Sequence, residues 1–195
     1  MVAIHPQKIE GDCVSGTALD LHTTSSTLIG KDEYGHDQYD TVRPEISELL
    51  YRLKYKSDQT CAAGIINAAS TFLLSLPPGI DLIIPVPPSA VREFQPVLTL
   101  ATGIGAAINL PVVDCVTTTR TTTQLKEVTD PEKRKELVEG LYSVDPRHTA
   151  GCKILLFDDL FRSGTTLNAI AKVLLTQGQA ASVCALTITK TRRNR

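Results

Sequence analysis

Apolar residues follow two alternating patterns from residue 44 onward. Short unbroken apolar runs are typical of strands buried on both faces of a sheet, and longer segments with apolar residues every three or four positions are typical of helices. The predicted strands cover residues 80–86, 111–115, 154–157 and 181–189. The predicted helices cover residues 44–55, 61–74, 94–109 and 165–177. Because strands alternate with helices, the pattern predicts an α/β fold with a parallel twisted sheet flanked by helices.

The N-terminal part of the chain has a different pattern. Residues 13–42 are rich in Thr, Ser, Gly, Asp and His, and residues 17–22 alternate between apolar and polar side chains, which favours strands joined by turns. His22 and His36 lie among aspartates here and are interpreted as solvated turn residues, with a metal site as the alternative. We therefore expect a small β-rich N-terminal appendage at 1–43, an α/β domain at 44–190 and a basic tail at 191–195.

Composition and charge exclude several classes of protein. The net charge of -1 argues against a surface that binds nucleic acid generally, because such a surface needs a basic face. The five cysteines form no Cys-x-x-Cys pair, so we expect reduced thiols and no structural zinc. The sequence shows neither a secretory signal nor an apolar stretch approaching the roughly 20 residues of a membrane helix. The expected location is the cytoplasm.

The candidate chemistry lies at residues 154–166. A buried strand is followed by Asp158 and Asp159, then by a loop of glycine and hydroxyl residues, and then by a helix. Ligands of parallel sheets bind beyond the carboxyl ends of the strands, and a helix N-terminus offers unpaired N–H groups that suit a phosphate. The order predicts a cradle for a sugar phosphate, in which the carboxylates face hydroxyl groups or a metal ion. The alternative is a simple turn with an N-cap, because Asp, Ser and Thr favour both.

The same segment resembles a known signature, the motif by which type I phosphoribosyltransferases bind 5-phosphoribosyl-1-pyrophosphate (PRPP). The resemblance implies that Asp158 and Asp159 hold the ribose hydroxyls and contact Mg²⁺ only indirectly, through these hydroxyls or water. It implies that the 5′-phosphate loop consists of Arg162, Ser163, Gly164, Thr165 and Thr166. Arg162 departs from the pattern, because the purine-salvage members commonly have an acid there that serves the base.

Two further segments extend the resemblance toward the ComF branch of the family. The pyrophosphate loop is expected after the strand at 80–86, where the candidate residues are Pro87, Pro88, Ser89 and Arg92. A strand terminator is the alternative for the two prolines. Residues 116–140 hold many charges and almost no apolar residues, which predicts an exposed functional loop or hood. Its candidate residues are Arg120, Gln124, Lys126, Lys133 and Arg134.

The resemblance implies an enzyme that uses PRPP and Mg²⁺ to transfer a phosphoribosyl group to a nitrogenous acceptor. A PRPP- or nucleotide-binding regulatory or accessory protein is the alternative, and a phosphatase or receiver-type protein fits the loop less well. ComF proteins typically carry an N-terminal zinc module with four cysteines, whereas only Cys13 precedes the core here. The expected partner is a small phosphosugar, and a homodimer is left open because this fold often dimerises.

Overall fold

The computed structural model describes residues 2–88, 94–119 and 140–192. The strands are β1 (Gln7–Glu10), β2 (Ser15–Leu21), β3 (Ser25–Lys31), β4 (Asp37–Val42), β5 (Leu82–Pro85), β6 (Val116–Thr118), β7 (Tyr142–Val144), β8 (Lys153–Phe161) and β9 (Ser182–Lys190). The helices are α1 (Glu45–Tyr55), α2 (Cys61–Leu74), α3 (Pro96–Ile108) and α4 (Thr165–Thr176), with a short 3₁₀ turn at Pro146–His148. Each predicted helix is present, with ends that differ by at most two residues.

The main sheet has the strand order β1-β2-β9-β8-β5. Neighbouring strands from β2 to β5 run parallel, and only β1 at the edge is antiparallel. Helices α1, α2 and α3 cover one face, and α4 covers the other, so the central strands are buried on both sides. This architecture confirms the predicted fold class.

The two faces of β8 belong to different cores. Ile154 and Leu156 pack with α4, whereas Leu155 and Phe157 pack with α1, α2 and α3. Successive side chains of a strand point to opposite faces, which explains why this unbroken apolar run serves both cores. The alternation also decides where the next two side chains of the strand point.

β8 is longer than the predicted strand at 154–157. Its parallel pairing with β9 continues from Asp158, opposite Thr187, to Phe161, opposite Lys190. The apolar run stops at Phe157, but the backbone pairing does not depend on apolar side chains. The two acids therefore lie within the strand and not in the turn after it.

The predicted strand at 111–115 is reduced to one parallel bridge, between Val112 and Ile83. Ile83 donates to the Pro111 carbonyl oxygen, and Val113 donates to the Ile83 carbonyl oxygen. The next donor in a parallel ladder would be residue 85, which is a proline without an N–H group. The ladder therefore ends there.

The N-terminal segment is divided between two sheets. β1 and β2 belong to the main sheet, since β2 pairs with β9 from Ser15 to Leu21. Only β3 and β4 form a separate antiparallel hairpin, and both strands are almost fully exposed. The appendage expected at 1–43 therefore includes too many residues. Strands β1 and β2 belong to the main sheet, and only the hairpin of β3 and β4 is separate from it. No helix in the described ranges is long and apolar enough to cross a membrane.

Candidate functional site

The candidate site lies at one edge of the main sheet, where the carboxyl ends of β2, β9, β8 and β5 meet. Asp158 and Asp159 are near the end of β8, and Thr187 and Thr189 occupy the neighbouring positions of β9. Both threonines are fully buried. The Thr189 hydroxyl donates to the carbonyl oxygen of Asp159 at 3.3 Å, which fixes the backbone that carries the acids.

The two acids have different surroundings. Asp158 follows the alternation of Ile154 and Leu156 toward the α4 side, where its charge acts on Tyr142. Asp159 points toward α1, and its Oδ2 lies 2.7 Å from Nζ of Lys54. The expected joint role of the acids at the ribose hydroxyls stays a prediction, but each acid reaches the site from its own side of β8.

The surroundings of the Asp158 carboxyl disfavour its ionised form. Burial, followed by the neighbouring charge of Asp159, raises its pKa from the ordinary 3.8 to about 8. The Asp159 backbone N–H donates to Asp158 Oδ1 at 2.8 Å, and this bond and the Lys54 ammonium act in the opposite direction on the pKa. Strongly perturbed acids are concentrated at functional sites, so Asp158 is a physically supported candidate for binding a hydroxyl group or a cation.

The Asp159–Lys54 ion pair is mostly shielded from water, with side-chain exposures of 12% and 17%. Lys54 lies in the last turn of α1, where a cation also interacts favourably with the helix dipole. Residues 53–55 are similar to a Leu-Lys-Tyr run of the ComF branch, but this similarity did not assign Lys54 to the site. The pairing was beyond sequence reasoning because α1 and β8 are distant in the chain.

The predicted phosphate loop joins β8 to α4. Gly164 is the N-cap of α4 and has φ +79°, a left-handed conformation that favours glycine. A Cβ at this position would meet the Phe161 ring at 3.0 Å. No side chain within the described ranges caps α4, so the first N–H groups of this helix have no side-chain acceptor there. The hydroxyls of Ser163 and Thr165 are 3.0 Å apart beside it.

Tyr142 is a site residue that sequence reasoning did not identify. It lies on β7, is 7% exposed, and interacts through its phenol with Thr166 of the loop. Burial raises the Tyr142 pKa, with the Asp158 charge adding to the shift, so the phenol stays protonated at neutral pH. Its signal in the sequence was its place at the end of residues 138–142, a run that is similar to the close of a segment in the ComF branch. Tyr142 thus interacts with both the predicted phosphate loop, at Thr166, and the first acid, Asp158.

The predicted pyrophosphate loop and hood are only partly described. Val86 donates to the Phe157 carbonyl oxygen at 2.8 Å, which places Pro87 beside the end of β8. Pro88 follows and is exposed. The other predicted residues of these two segments lie outside the described residues and stay predictions: Ser89, Arg92, Arg120, Gln124, Lys126, Lys133 and Arg134.

His22 follows the end of β2 and is half-buried, so the interpretation as a solvated turn residue was wrong for it. Its Nδ1 lies 3.1 Å from the Thr189 hydroxyl, and its carbonyl oxygen accepts from Ser47 of α1 at 2.6 Å. Burial lowers the pKa of His22, and the nearby cations Arg43, Lys54 and Arg162 lower it further. Asp159 acts in the opposite direction. A neutral imidazole therefore lies among cations at this edge.

The side chains that could bind a metal ion limit how the predicted Mg²⁺ could be held. No group of three or more His, Cys, Asp or Glu side chains that could hold a metal occurs in the part of the chain that the structure describes. Mg²⁺ is usually bound by one or two carboxylates together with ligand phosphates and water. Asp158 and Asp159 fit that chemistry when a phosphorylated ligand supplies the remaining oxygens.

No family model matches the chain. The chain is similar to the competence protein ComFC of Bacillus subtilis, with 27% identity over 195 residues, covering 94% of this chain and 74% of ComFC. Among solved structures it is similar to glutamine PRPP amidotransferase from B. subtilis, with a TM-score of 0.47, 18% identity and 66% of this chain covered. The chain spans 26% of that amidotransferase.

A second similar structure is adenine phosphoribosyltransferase from Saccharomyces cerevisiae, with a TM-score of 0.44, 11% identity and coverage of 85% of this chain and 83% of that one. The fold and the site together define a protein of the α/β class, with a mostly parallel sheet and a candidate site at the carboxyl ends of its strands. Within that class the chain is similar to ComFC, in agreement with the ComF resemblance found in its sequence.

Proposed function

We propose that the protein binds PRPP with Mg²⁺ at the carboxyl edge of the main sheet and transfers its phosphoribosyl group to a nitrogenous acceptor, releasing pyrophosphate. The observation that carries the proposal is the sequence of features along β8 and α4. Two acids lie near the end of a buried strand, and a left-handed Gly164 then opens a helix without a side-chain cap. This order suits the hydroxyl groups and the 5′-phosphate of one ribose phosphate.

The roles of the residues follow from their positions. The N–H groups at the start of α4, with Ser163 and Thr165, hold the 5′-phosphate. Asp158 and Asp159 bind the ribose hydroxyls. The Asp159 carboxylate, joined by Asp158 once a bound cation favours its ionised form, stabilises the positive charge that grows on the ribose ring in the transition state. The bond from ribose C1 to the pyrophosphate oxygen breaks, and a bond from C1 to the acceptor nitrogen forms.

The Mg²⁺ ion, held by the pyrophosphate and the ribose hydroxyls beside the two acids, would supply charge neutralisation of the leaving group. The chain's own contribution there is the loop after β5, with Pro87, Pro88, Ser89 and Arg92 as the proposed pyrophosphate ligands. The segment at 116–140 is the proposed hood that excludes water, since hydrolysis of PRPP is the competing reaction.

A second candidate function is binding of PRPP or a nucleotide without turnover, in a regulatory or accessory role. Two observations favour it. Arg162 occupies the loop position at which purine-salvage members commonly have an acid. The curated relative ComFC is named for competence and not for a reaction.

The first experiment is a calorimetric titration of PRPP in the presence of Mg²⁺. We expect binding to the wild type and loss of binding in the Asp158→Asn/Asp159→Asn double variant. Arg147→Met is the matched control, because Arg147 pairs with Asp145 and its side chain is 85% exposed. If the folded wild type does not bind PRPP, the proposal is wrong.

Pyrophosphate release then separates the two candidate functions. Release that depends on an added nitrogenous base supports transfer. PRPP binding without release for any base in a panel of purines, pyrimidines and imidazoles supports the binding module.

A further inference from the structure

One side chain lies between the β1–β2 turn and the predicted phosphate loop. Asn168 is in the first turn of α4, and its Oδ1 accepts a hydrogen bond from the backbone N–H of Cys13 at 3.0 Å. The backbone N–H of Asn168 donates to the carbonyl oxygen of Gly164 at 2.8 Å. Asn168 therefore joins the phosphate loop to a turn that is 155 positions away in the chain.

Two glycines leave room for the Asn168 amide. A Cβ at Gly11 would lie 2.4 Å from its Oδ1, and a Cβ at Gly164 would lie 3.2 Å from its Nδ2. Gly164 also has a left-handed backbone, but Gly11 does not have a positive φ. The close approach of Asn168, and not the backbone conformation, is therefore what requires a glycine at position 11.

The hydrogen bond from Cys13 also decides which way the amide faces. The donor is a backbone N–H, so the atom of Asn168 that meets it must be the acceptor Oδ1. The Nδ2 donor then lies on the other branch of the amide, toward Gly164. One side chain thus contacts the turn with its oxygen and packs against the loop with its nitrogen.

The β1–β2 turn is a fixed support for this contact. The pairing of β1 with β2 continues up to Glu10, opposite Ser15, and Gly11 donates to the carbonyl oxygen of Val14 at 2.9 Å. Val14 is buried and packs in the same core as Leu167 of α4. The turn is therefore held by both the main sheet and the core beneath α4, and it can fix the position of a side chain that binds to it.

We infer that Asn168 is a positioning residue for the 5′-phosphate loop and that the β1–β2 turn is the support through which it acts. This inference rests on the proposed function, because it concerns how the phosphate loop of that function is held. Backbone N–H groups bind a phosphate best when their direction is fixed before the ligand arrives, since no ordering cost is then left to binding. Asn168 acts through the backbone of Gly164 and not by contact with the ligand.

The test measures the binding of three probes to the whole protein by calorimetry in the presence of Mg²⁺. Ribose 5-phosphate and PRPP carry the 5′-phosphate, whereas inorganic pyrophosphate does not. In Asn168→Ala we expect the affinity for the first two probes to fall about five-fold, the size of one lost hydrogen bond, and the affinity for pyrophosphate to stay unchanged. Asn67→Ala is the matched control, because Asn67 is an exposed asparagine that accepts from Thr71 on its own helix.

Gly11→Ala tests the contact from outside the phosphate loop. The added Cβ overlaps the position of Oδ1, so the flexible amide must swing away and lose its bond with Cys13. We expect the same fall of about five-fold for the two probes with a 5′-phosphate. The Gly11→Ala/Asn168→Ala double variant has no amide to displace, so it should also lose about five-fold, and not the roughly 25-fold of two independent effects.

Thermal unfolding accompanies each titration, so that every variant is compared in its folded state. An Asn168 with only a structural role would lower the midpoint of unfolding and leave the affinities of the folded protein unchanged. Three results overturn the inference: an unchanged affinity for ribose 5-phosphate in folded Asn168→Ala, an equal fall in the affinity for pyrophosphate, or independent losses in the double variant.

The same titrations separate this inference from the proposed function. PRPP binding that does not depend on Asn168 removes the positioning role and leaves the function. Binding of ribose 5-phosphate that depends on Asn168, in a protein that does not bind PRPP, removes the function and leaves the positioned phosphate loop. A folded wild type that binds neither probe overturns both.

Discussion

Nζ of Lys54 lies 2.7 Å from Oδ2 of Asp159, and this contact joins the last turn of α1 to the end of β8. Both side chains are largely buried, so the pair replaces water as the partner of each charge. The contact holds Asp159 on the α1 side of the sheet while Asp158 serves the other side. The two adjacent acids thereby lie in different surroundings.

Removing the Lys54 charge should destabilise the protein. Lys54→Met leaves Asp159 without its partner in a poorly hydrated position, and we expect a loss of roughly 2–3 kcal/mol in the free energy of unfolding. Chemical denaturation measures it. The Lys54→Met/Asp159→Asn double variant should recover part of the loss, because no unpaired charge remains. A Lys54→Met variant as stable as the wild type would show that the pair contributes little.

Asp158 should lower stability as the pH rises. Its folded pKa of about 8 lies above the ordinary 3.8, so the folded state binds more protons than the unfolded state between these values. Stability is therefore lost as the pH rises through this window. Asp158→Asn does not ionise, and we expect its stability advantage over the wild type to be small at pH 4 and to grow to several kcal/mol by pH 8.

Thermal unfolding of the wild type and of Asp158→Asn at both pH values checks this prediction. Asp40→Asn is the control, since Asp40 is an exposed aspartate in the hairpin. A gain of equal size at pH 4 would mean that the substitution acts through packing and not through ionisation.

Gly164→Ala should impair the phosphate loop. The left-handed backbone and the approach of a Cβ to the Phe161 ring both oppose the substitution, and we expect a loss of about 2 kcal/mol in stability. The start of α4 would also shift, so PRPP affinity should fall. Gly151→Ala is a matched control, because Gly151 has φ +73° and no atom near its would-be Cβ.

Calorimetry with PRPP and thermal unfolding distinguish the two glycine variants. Gly151→Ala should lose only the backbone contribution to stability and keep PRPP affinity. If both variants bind PRPP like the wild type, the loop does not hold the 5′-phosphate.

Gly16→Ala tests whether β2 is part of the core. A Cβ at Gly16 would lie 1.9 Å from the carbonyl oxygen of Ala185 on β9, a contact that the paired strands cannot relieve without moving apart. We expect a loss of about 3 kcal/mol, at the upper end of overpacking effects. Gly35→Ala in the exposed hairpin turn, with nothing within 4 Å, should lose far less. Urea denaturation compares the two, and equal losses would mean that β2 adds little to the core.

Much of the fold could be predicted because its signals are local. The apolar spacing of residues 61–74 marks both ends of α2, since a helix buries a face defined by its own periodicity. The acids of β8 and Gly164 were recognised for the same reason, because their chemistry lies in neighbouring positions. Their roles at a ligand remain predictions.

Other features depended on contacts between distant segments. The sequence pattern predicts β2 only as a short N-terminal strand. Its pairing with β9 is what makes it part of the core. The predicted strand at 111–115 ended early because Pro85 of another strand has no N–H to offer. Pairing partners and register are set by long-range geometry that no local pattern records.

The sequence by itself determined the alternation of strands and helices, the acid pair and the glycine that opens α4, because these depend on nearest neighbours. The tertiary structure decided that Lys54 pairs with Asp159, that Tyr142 interacts with Thr166, and that His22 lies among cations. These contacts exist because the parallel strands bring their carboxyl ends to one edge of the sheet, where distant segments of the chain meet.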